Sequence, residues 1–125
     1  ITVRAKKSSH IDAFELKDVQ FETNKTELTY TTKLILFKFA EYMLANPNFT
    51  MEIEGHTDDV GSTQDNLKLS QARAEAVKRF FEESDIDPSR LKASGFGESS
   101  PKASNNTDQG RASNRRTEFI VKNKP

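Results

Sequence analysis

Hydrophobic and polar residues recur along this chain with two periods, and the period changes from segment to segment. Alternation with a period of two predicts strands, and these are Leu16–Asn24, Phe49–His56, Leu91–Phe96 and Arg115–Lys122. Recurrence every three to four residues predicts two helices, Thr31–Asn46 and a second that begins at Asn66 or Ser70 and ends at Ser84. The segment Ser99–Ser113 shows neither period, so we expect it to be a long polar loop.

The predicted element order is β-α-β-α-β-β, which is typical of an α+β two-layer sandwich. Hydrophobic residues occupy only one face of Phe49–His56, so we expect the helices to cover one face of the sheet. A right-handed crossover through each helix makes the flanking strands parallel, and an antiparallel last strand would complete a mixed four-stranded sheet. We expect residues 15–125 to form this domain and residues 1–14 to be an N-terminal linker or extension.

Two groups of apolar residues are expected to build the core from the helices. They are Leu36, Phe39, Ala40 and Met43 in the first helix and Ala74, Val77 and Phe81 in the second. With 34% hydrophobic and 30% charged residues among 125, the composition fits a single domain with a modest core. The chain lacks an initiating Met, so we expect a mature product or an excised domain.

The charge and hydropathy of the chain argue against several classes of partner. Lys and Arg total 19 and so do Asp and Glu, which leaves no net field to attract nucleic acid or anionic lipid. No apolar run approaches the roughly 20 residues that a membrane-spanning helix needs. Nucleic acid is therefore not an expected partner, and contact with a membrane is expected only through a segment outside this chain.

Polar residues gather at one edge of the predicted sheet. The strands on either side of the first helix run in parallel, so their carboxyl ends bring Asn24 and Asp58 to the same edge. The second helix begins there and adds Asn66 and Arg73, and an antiparallel last strand would begin there with Arg115. An acid and a base on different elements can bind a small zwitterion. The residues alone therefore indicate a binding module.

Either of two neighbouring arginines could face this edge. Arg115 is in phase with Thr117, Phe119 and Val121 on the helix-covered side, whereas Arg116 is not. We therefore expect Arg115 to face the site and Arg116 to face solvent.

His56 lies beside Asp58 and Asp59, a combination that raises the question of a metal or an acid–base pair. The chain has 2 His, and the other, His10, lies in the predicted N-terminal extension. Such a set is poor support for a metal centre, so we predict neither a metal nor a cofactor. Alternation along the strand instead places His56 on the open face of the sheet, away from the helices.

Three segments carry a resemblance to a known family. In the order and spacing of their motifs, EGHTDDVGSTQDNLKLSQARAEAV, RLKASGFGESSP and NNTDQGRASNRRTEFIV resemble the OmpA-like C-terminal domain. That family includes the peptidoglycan-associated lipoproteins and the periplasmic part of flagellar stator proteins, and the resemblance runs from about Leu16 to Lys122. It implies a non-catalytic module that anchors the outer membrane, or an attached protein, non-covalently to the cell wall. The implied location is the periplasm, associated with the outer membrane of a Gram-negative bacterium.

The resemblance also implies a ligand, the meso-diaminopimelate residue of the peptidoglycan stem peptide. The acidic binding residue of the family falls on Asp58, and its basic partner falls on Arg73. The additional contacts fall on Asn24, Thr57, Asn66 and Arg115. Asp58 would accept hydrogen bonds from the ligand ammonium, and Arg73 would bind the carboxylate that lysine-type stem peptides lack.

Two other functions remain open at the level of the sequence. An enzyme acting on the same polymer is one, but a glycosidase needs two carboxylates flanking a cleft, and Asp58 and Asp59 are adjacent. We therefore predict no catalytic residues. An interaction protein is the other, because the first helix carries apolar residues beyond its core stripe: Leu34, Ile35, Phe37, Tyr42 and Leu44. Either the N-terminal segment covers these residues, or they form a homodimer or partner contact.

Overall fold

A computed structural model gives the backbone of residues 11–17 and the complete structure of residues 28–123. The described strands are β1 (Ile11–Lys17), β2 (Phe49–His56), β3 (Leu91–Gly97) and β4 (Arg116–Asn123). The described α-helices are α1 (Tyr30–Ala45), α2 (Thr63–Glu83) and α3 (Asp108–Asn114). A 3-10 turn, Pro88–Arg90, precedes β3 and is capped by Asp87, whose side chain accepts a hydrogen bond from the Ser89 N–H.

The strands form one mixed sheet in the order β1-β4-β2-β3. Strands β2 and β3 pair in parallel, and β4 pairs antiparallel with both β1 and β2. β1 and β2 therefore run in the same direction on either side of β4, as expected from the crossover through α1. The first residue of β4, Arg116, pairs with His56 at the end of β2. The predicted α+β fold is confirmed, and the start of β4 lies beside the end of β2.

The core lies between the helices and one face of the sheet. The helical residues that the sequence predicts to face inward are all buried: Leu36, Phe39, Ala40, Met43, Ala74, Val77 and Phe81. Phe119 of β4 lies at the centre of this core, stacked on Phe39 at 4.9 Å and edge-on to Phe81 at 6.2 Å between ring centroids. Each buried leucine, methionine, valine or phenylalanine side chain of this core contributes about 1.5–3 kcal/mol when it is removed from water. This apolar layer fixes α1 and α2 against the sheet.

Side-chain caps determine where α1 and α2 begin. Thr29 caps α1 by accepting a hydrogen bond from the Thr32 N–H at 3.3 Å. Ser62 caps α2 by accepting from the Asp65 N–H at 3.0 Å, and α2 therefore begins at Thr63. The prediction that α2 starts at Asn66 or later is wrong, because the first turn is polar and lacks the apolar recurrence that marks the rest of the helix.

The first strand lies earlier in the chain than the alternating pattern predicts. The predicted strand was Leu16–Asn24, whereas β1 spans Ile11–Lys17. The remainder of that prediction, residues 18–24, lies outside the described residues. β1 pairs with β4 in the register Phe14 opposite Phe119. The alternation of one strand does not identify the strand that it will pair with, so this pairing was not predicted. The predicted domain boundary between residues 14 and 15 falls within this strand.

The predicted polar loop contains a short helix that the sequence pattern missed. Thr107 caps α3 by accepting a hydrogen bond from the Gly110 N–H at 2.9 Å, and Asp108 lies in its first turn. The two buried residues of α3 are Gly110 and Asn114, so the helix has no apolar stripe to detect. A Cβ at position 110 would lie 1.6 Å from the carbonyl oxygen of Ser104, so only glycine allows this approach.

Asn114 closes the loop that precedes α3. Its side chain is fully buried, and its Oδ1 accepts hydrogen bonds from the backbone N–H groups of Lys102 and Ala103 at 2.7 and 2.9 Å. Its Nδ2 donates to the Ala103 carbonyl at 3.0 Å and to Asn105 Oδ1 at 2.7 Å. One amide thus satisfies four polar partners and holds the loop against the helix that leads into β4.

Candidate functional site

Asp58 is held in a fixed position just beyond the end of β2. Its Oδ1 accepts a hydrogen bond from the Val60 N–H at 3.0 Å, and its Oδ2 accepts one from Arg115 Nη1 at 2.9 Å. The Asp58 side chain is 12% exposed, and that of Arg115 is 42% exposed. The pair therefore presents a sheltered, oriented carboxylate together with a cation that solvent and a ligand can reach.

Thr57 and Asn66 hold the backbone around this carboxylate. The Thr57 hydroxyl donates to the Asp58 carbonyl at 2.8 Å. Asn66 Nδ2 lies within hydrogen-bonding distance of the carbonyls of Asp58 (3.3 Å) and Val60 (3.0 Å) and of Glu98 Oε1 (3.2 Å). Both side chains are buried, so their effect is to fix the loop that carries Asp58.

Glu98 is a site residue that the sequence analysis missed. It follows β3 directly, and β3 is parallel to β2, so the carboxyl ends of the two strands meet at the same edge. The rule that identified Asp58 at the end of β2 could have identified Glu98 as well. A second carboxylate therefore lies beside Asn66.

Close packing of α2 on the sheet brings this helix to the site. A Cβ at Gly55 would lie 2.6 Å from the carbonyl oxygen of Ser70, and one at Gly95 would lie 2.3 Å from the backbone nitrogen of Gln71. The Gly97 N–H donates to the Ser70 hydroxyl at 2.8 Å. The two strands therefore contact the helix backbone directly where they carry glycine, and the first half of α2 lies over the ends of β2 and β3.

The structure brings four of the predicted site residues together, namely Thr57, Asp58, Asn66 and Arg115. Arg73 lies on the same face of α2 as Asn66, two helical turns further along, and its Nε is buried. Arg115 forms an ion pair with the Asp58 carboxylate. Asn24 lies outside the described residues.

The sequence pattern predicted that Arg116 faces solvent, and this prediction is wrong. Arg116 is buried, and its guanidinium donates to Glu118 Oε2 at 2.7 Å, to the Ser100 carbonyl at 3.0 Å and to the Asn114 carbonyl at 3.3 Å. The loop before α3 supplies the Ser100 carbonyl and the last residue of α3 supplies the Asn114 carbonyl, tertiary contacts that alternation cannot predict. Arg115 caps the end of α3 and precedes the strand, which leaves its side chain able to reach Asp58.

His56 belongs to a packed cluster on the other face of the sheet. Its ring stacks on Phe96 with centroids 5.3 Å apart and an interplanar angle of 9°. Its Nε2 lies 3.5 Å from Glu118 Oε2 and 3.9 Å from Glu54 Oε1. Among the described residues, no group of three or more acidic or histidine side chains is arranged to hold a metal ion. At the end of β2, His56 therefore packs against Phe96.

The negative charge of Glu54 is unfavourable in this cluster. Burial raises the pKa of its carboxyl above the ordinary value, and repulsion from Glu118 and Glu52 raises the pKa further. The positive charges of Arg116 and Lys122 lower the pKa of Glu54, but its net shift is upward. A folded-state pKa above the unfolded value means that the folded protein disfavours the charged form. This group therefore decreases stability as the pH rises from the ordinary carboxyl range through its folded pKa.

We expect Glu54→Gln to raise the thermal midpoint at pH 7, because glutamine removes the charge that the cluster disfavours. The gain should disappear below about pH 4, where the carboxyl is protonated in both states. Thermal unfolding between pH 3 and pH 8 measures this, with the exposed Glu83→Gln as the matched control. A gain that is the same at every pH would contradict the electrostatic explanation.

Comparison with known proteins places the chain in a family. The sequence profile of the OmpA family matches residues 20–115. The chain belongs to the OmpA family. It is 40% identical over 104 residues to outer membrane porin F of Pseudomonas fluorescens, an alignment that covers 83% of this chain and 32% of porin F. The chain therefore spans about a third of that relative, and it corresponds to one part of a longer protein there.

Solved structures share the fold of this OmpA-family domain. The peptidoglycan-associated lipoprotein from Burkholderia pseudomallei is 28% identical with a TM-score of 0.75, over 83% of this chain and 88% of that one. The cell wall anchor of the T6SS from Pseudomonas aeruginosa is 25% identical with a TM-score of 0.85, over 98% of this chain and 88% of that one. The family predicted from the sequence motifs is thus confirmed.

The relatives also bear on where the domain works. They are outer membrane proteins and outer-membrane lipoproteins, in agreement with the predicted location in the periplasm, associated with the outer membrane of a Gram-negative bacterium. Within the part of the chain that the structure describes, no helix is both long enough and apolar enough to cross a membrane.

Proposed function

We propose that this OmpA-family domain binds peptidoglycan non-covalently and without catalysis, and so holds the outer membrane or an attached protein at the cell wall. The observation that carries the proposal is the Asp58 carboxylate, oriented by the Val60 N–H and paired with a partly exposed Arg115. Two solved structures of similar fold support it, since one is a peptidoglycan-associated lipoprotein and another a cell wall anchor.

The ligand group we propose is meso-diaminopimelate, whose free end carries an ammonium and a carboxylate. Asp58 accepts hydrogen bonds from the ammonium, and a carboxylate oxygen that already accepts from Arg115 keeps a second lone pair for this purpose. Arg73 and Arg115 offer planar guanidinium groups to the ligand carboxylates. Thr57 and Asn66 contribute by fixing the backbone that carries Asp58, and Asn24 is proposed as a further contact.

Titration calorimetry of the purified domain with a diaminopimelate stem peptide and its lysine-type analogue tests this proposal. We expect the diaminopimelate peptide to bind more tightly, because the lysine-type peptide leaves a binding-site arginine without a carboxylate partner. The proposal fails if neither peptide binds, or if both bind with equal affinity. Release of muropeptide fragments by the pure domain would instead indicate an enzyme.

We expect Arg73→Gln to remove most of the preference for diaminopimelate over lysine. A hydrogen bond to a charged group contributes about 1.5–3 kcal/mol, so affinity for the diaminopimelate peptide should decrease about 10- to 150-fold. Affinity for the lysine-type peptide should change little. The exposed Arg79→Gln on the same helix is the matched control, and thermal unfolding shows whether both variants remain folded. A preference that survives in Arg73→Gln would assign carboxylate recognition to another residue.

A second proposed function is a protein contact through α1. Of the apolar residues that the sequence singled out, Ile35 and Tyr42 are partly buried and pack against the core. Leu34, Phe37 and Leu44 are instead about half exposed, at 53%, 54% and 48%, and Tyr30 is 76% exposed. Exposed apolar side chains clustered on one helix are typical of an interaction surface.

A further inference from the structure

The exposed apolar residues of α1 form a continuous stripe. Tyr30, Leu34, Phe37 and Leu44 follow one another at intervals of four, three and seven residues, with Glu41 occupying the remaining position. At 3.6 residues per turn, the four apolar side chains fall within about 80° of the helix circumference. The core residues of the same helix occupy the opposite side. We call these five residues the outer stripe; its spacing is that of a helix that packs against another helix.

Glu41 restricts what can cover the outer stripe. It is exposed and lies between Phe37 and Leu44, so a helix that docks on the stripe would also cover this carboxylate. Covering a charge is costly unless the partner supplies an opposite charge. A second copy in parallel register would bring Glu41 against Glu41 and would therefore be repulsive. The partner must place a cation opposite this position.

An antiparallel second copy supplies that cation. Lys33 lies four residues before Phe37 and Glu41 four residues after it, so each is about 6 Å along the axis from the same central residue. If two α1 helices cross at Phe37 about a two-fold axis, Lys33 of each copy lies opposite Glu41 of the other. The same register places Tyr30 opposite Leu44. Both charged side chains are exposed and available for this pairing.

We propose that the domain forms a two-fold symmetric homodimer through the outer stripe, with antiparallel α1 helices centred on Phe37 and two Lys33–Glu41 ion pairs. The proposal rests on the second proposed function, a protein contact through α1, and not on peptidoglycan binding. An isologous contact of this kind needs only one self-complementary patch. The outer stripe together with the neighbouring Lys33 is self-complementary in both its apolar and its charged positions.

Charge exchange tests the register directly. Lys33→Glu and Glu41→Lys each create two like-charge pairs in the antiparallel dimer, so each should weaken dimerisation about tenfold or more. The double variant Lys33→Glu/Glu41→Lys restores opposite charges at both positions and should recover the dimer. Sedimentation equilibrium over a concentration series measures the dissociation constants. A double variant no tighter than the single variants would overturn the proposed register.

A second pair of variants tests the surface itself. Phe37→Ser changes the centre of the outer stripe and should abolish the dimer. Leu67→Ser alters a residue that is 49% exposed on α2, away from the stripe, and should leave the dimer intact. A wild-type protein that stays monomeric at its highest soluble concentration would overturn the inference, whether another segment or another protein covers α1. Stem-peptide titration of the same samples reports on peptidoglycan binding separately.

Discussion

Asp58→Ala is expected to reduce the affinity of the domain for a diaminopimelate stem peptide by about 30-fold to about 4,000-fold. Removing one partner of a sheltered, hydrogen-bonded charge pair costs roughly 2–5 kcal/mol, and every 1.4 kcal/mol is a factor of ten. The Asp58 side chain is only 12% exposed, so water screens its interaction with a ligand ammonium weakly. A fully exposed pair would contribute only about 0.2–1 kcal/mol.

The neighbouring acid provides the matched control for this prediction. Asp59 is exposed, so Asp59→Ala changes the net charge equally and should leave affinity nearly unchanged. Asp58→Asn retains an oxygen that can accept from the Val60 N–H and removes the negative charge, so it separates the charge from the loop geometry. Calorimetry gives the affinities and thermal unfolding reports on the fold. Equal losses in Asp58→Ala and Asp59→Ala would show that long-range charge, rather than a specific contact, determines binding.

Asn114→Ala is expected to lower the free energy of unfolding by about 2–4 kcal/mol. The substitution removes the acceptor of two backbone N–H groups and the donor to the Ala103 carbonyl. An unsatisfied buried polar group costs about 1–3 kcal/mol, and a shared network loses more than one bond at a time. The thermal midpoint should decrease by on the order of 10 °C. Chemical denaturation with the linear extrapolation method measures the change.

Asn114→Ala should affect the binding site as well as the stability of the loop. Asn114 directly precedes Arg115, so loss of its hydrogen bonds should also loosen the position of the guanidinium that pairs with Asp58. We therefore expect weaker stem-peptide binding in Asn114→Ala even at temperatures where the domain is folded. Asn106→Ala is the control, because Asn106 is exposed and uses its backbone N–H, rather than its side chain, to bond Ser104. An unchanged stability in Asn114→Ala would mean that water replaces the amide at low cost.

The sequence predicted best those elements whose residues face the core on one side and solvent on the other. Strand β2 was predicted with its observed bounds, because its alternation is strict and ends in the polar residues that carry the site. The core stripes of α1 and α2 were predicted residue by residue for the same reason. Asp58 followed from the rule that ligands are bound at the carboxyl ends of strands, and its role in binding stays a prediction.

The elements that the sequence did not reveal are those held by polar contacts between distant residues. Helix α3 is fixed by the buried amide of Asn114 and the backbone contact at Gly110, and neither produces a hydrophobic period. Arg116 is covered by a loop carbonyl, that of Ser100, which lies 16 positions away in the chain. The choice of Arg115 as the partner of Asp58 likewise depends on how α3 ends.

By itself, the amino-acid sequence determined the fold class, the helical core and the family, because burial of apolar side chains leaves a local period and the family motifs have fixed spacing. Only the tertiary structure decided which cation meets Asp58, that Glu98 joins Asn66, and that the outer stripe of α1 stays exposed. These features depend on which surfaces meet after the chain has folded. Hydrogen bonds and ion pairs between distant segments have no period along the chain, so local patterns cannot predict them.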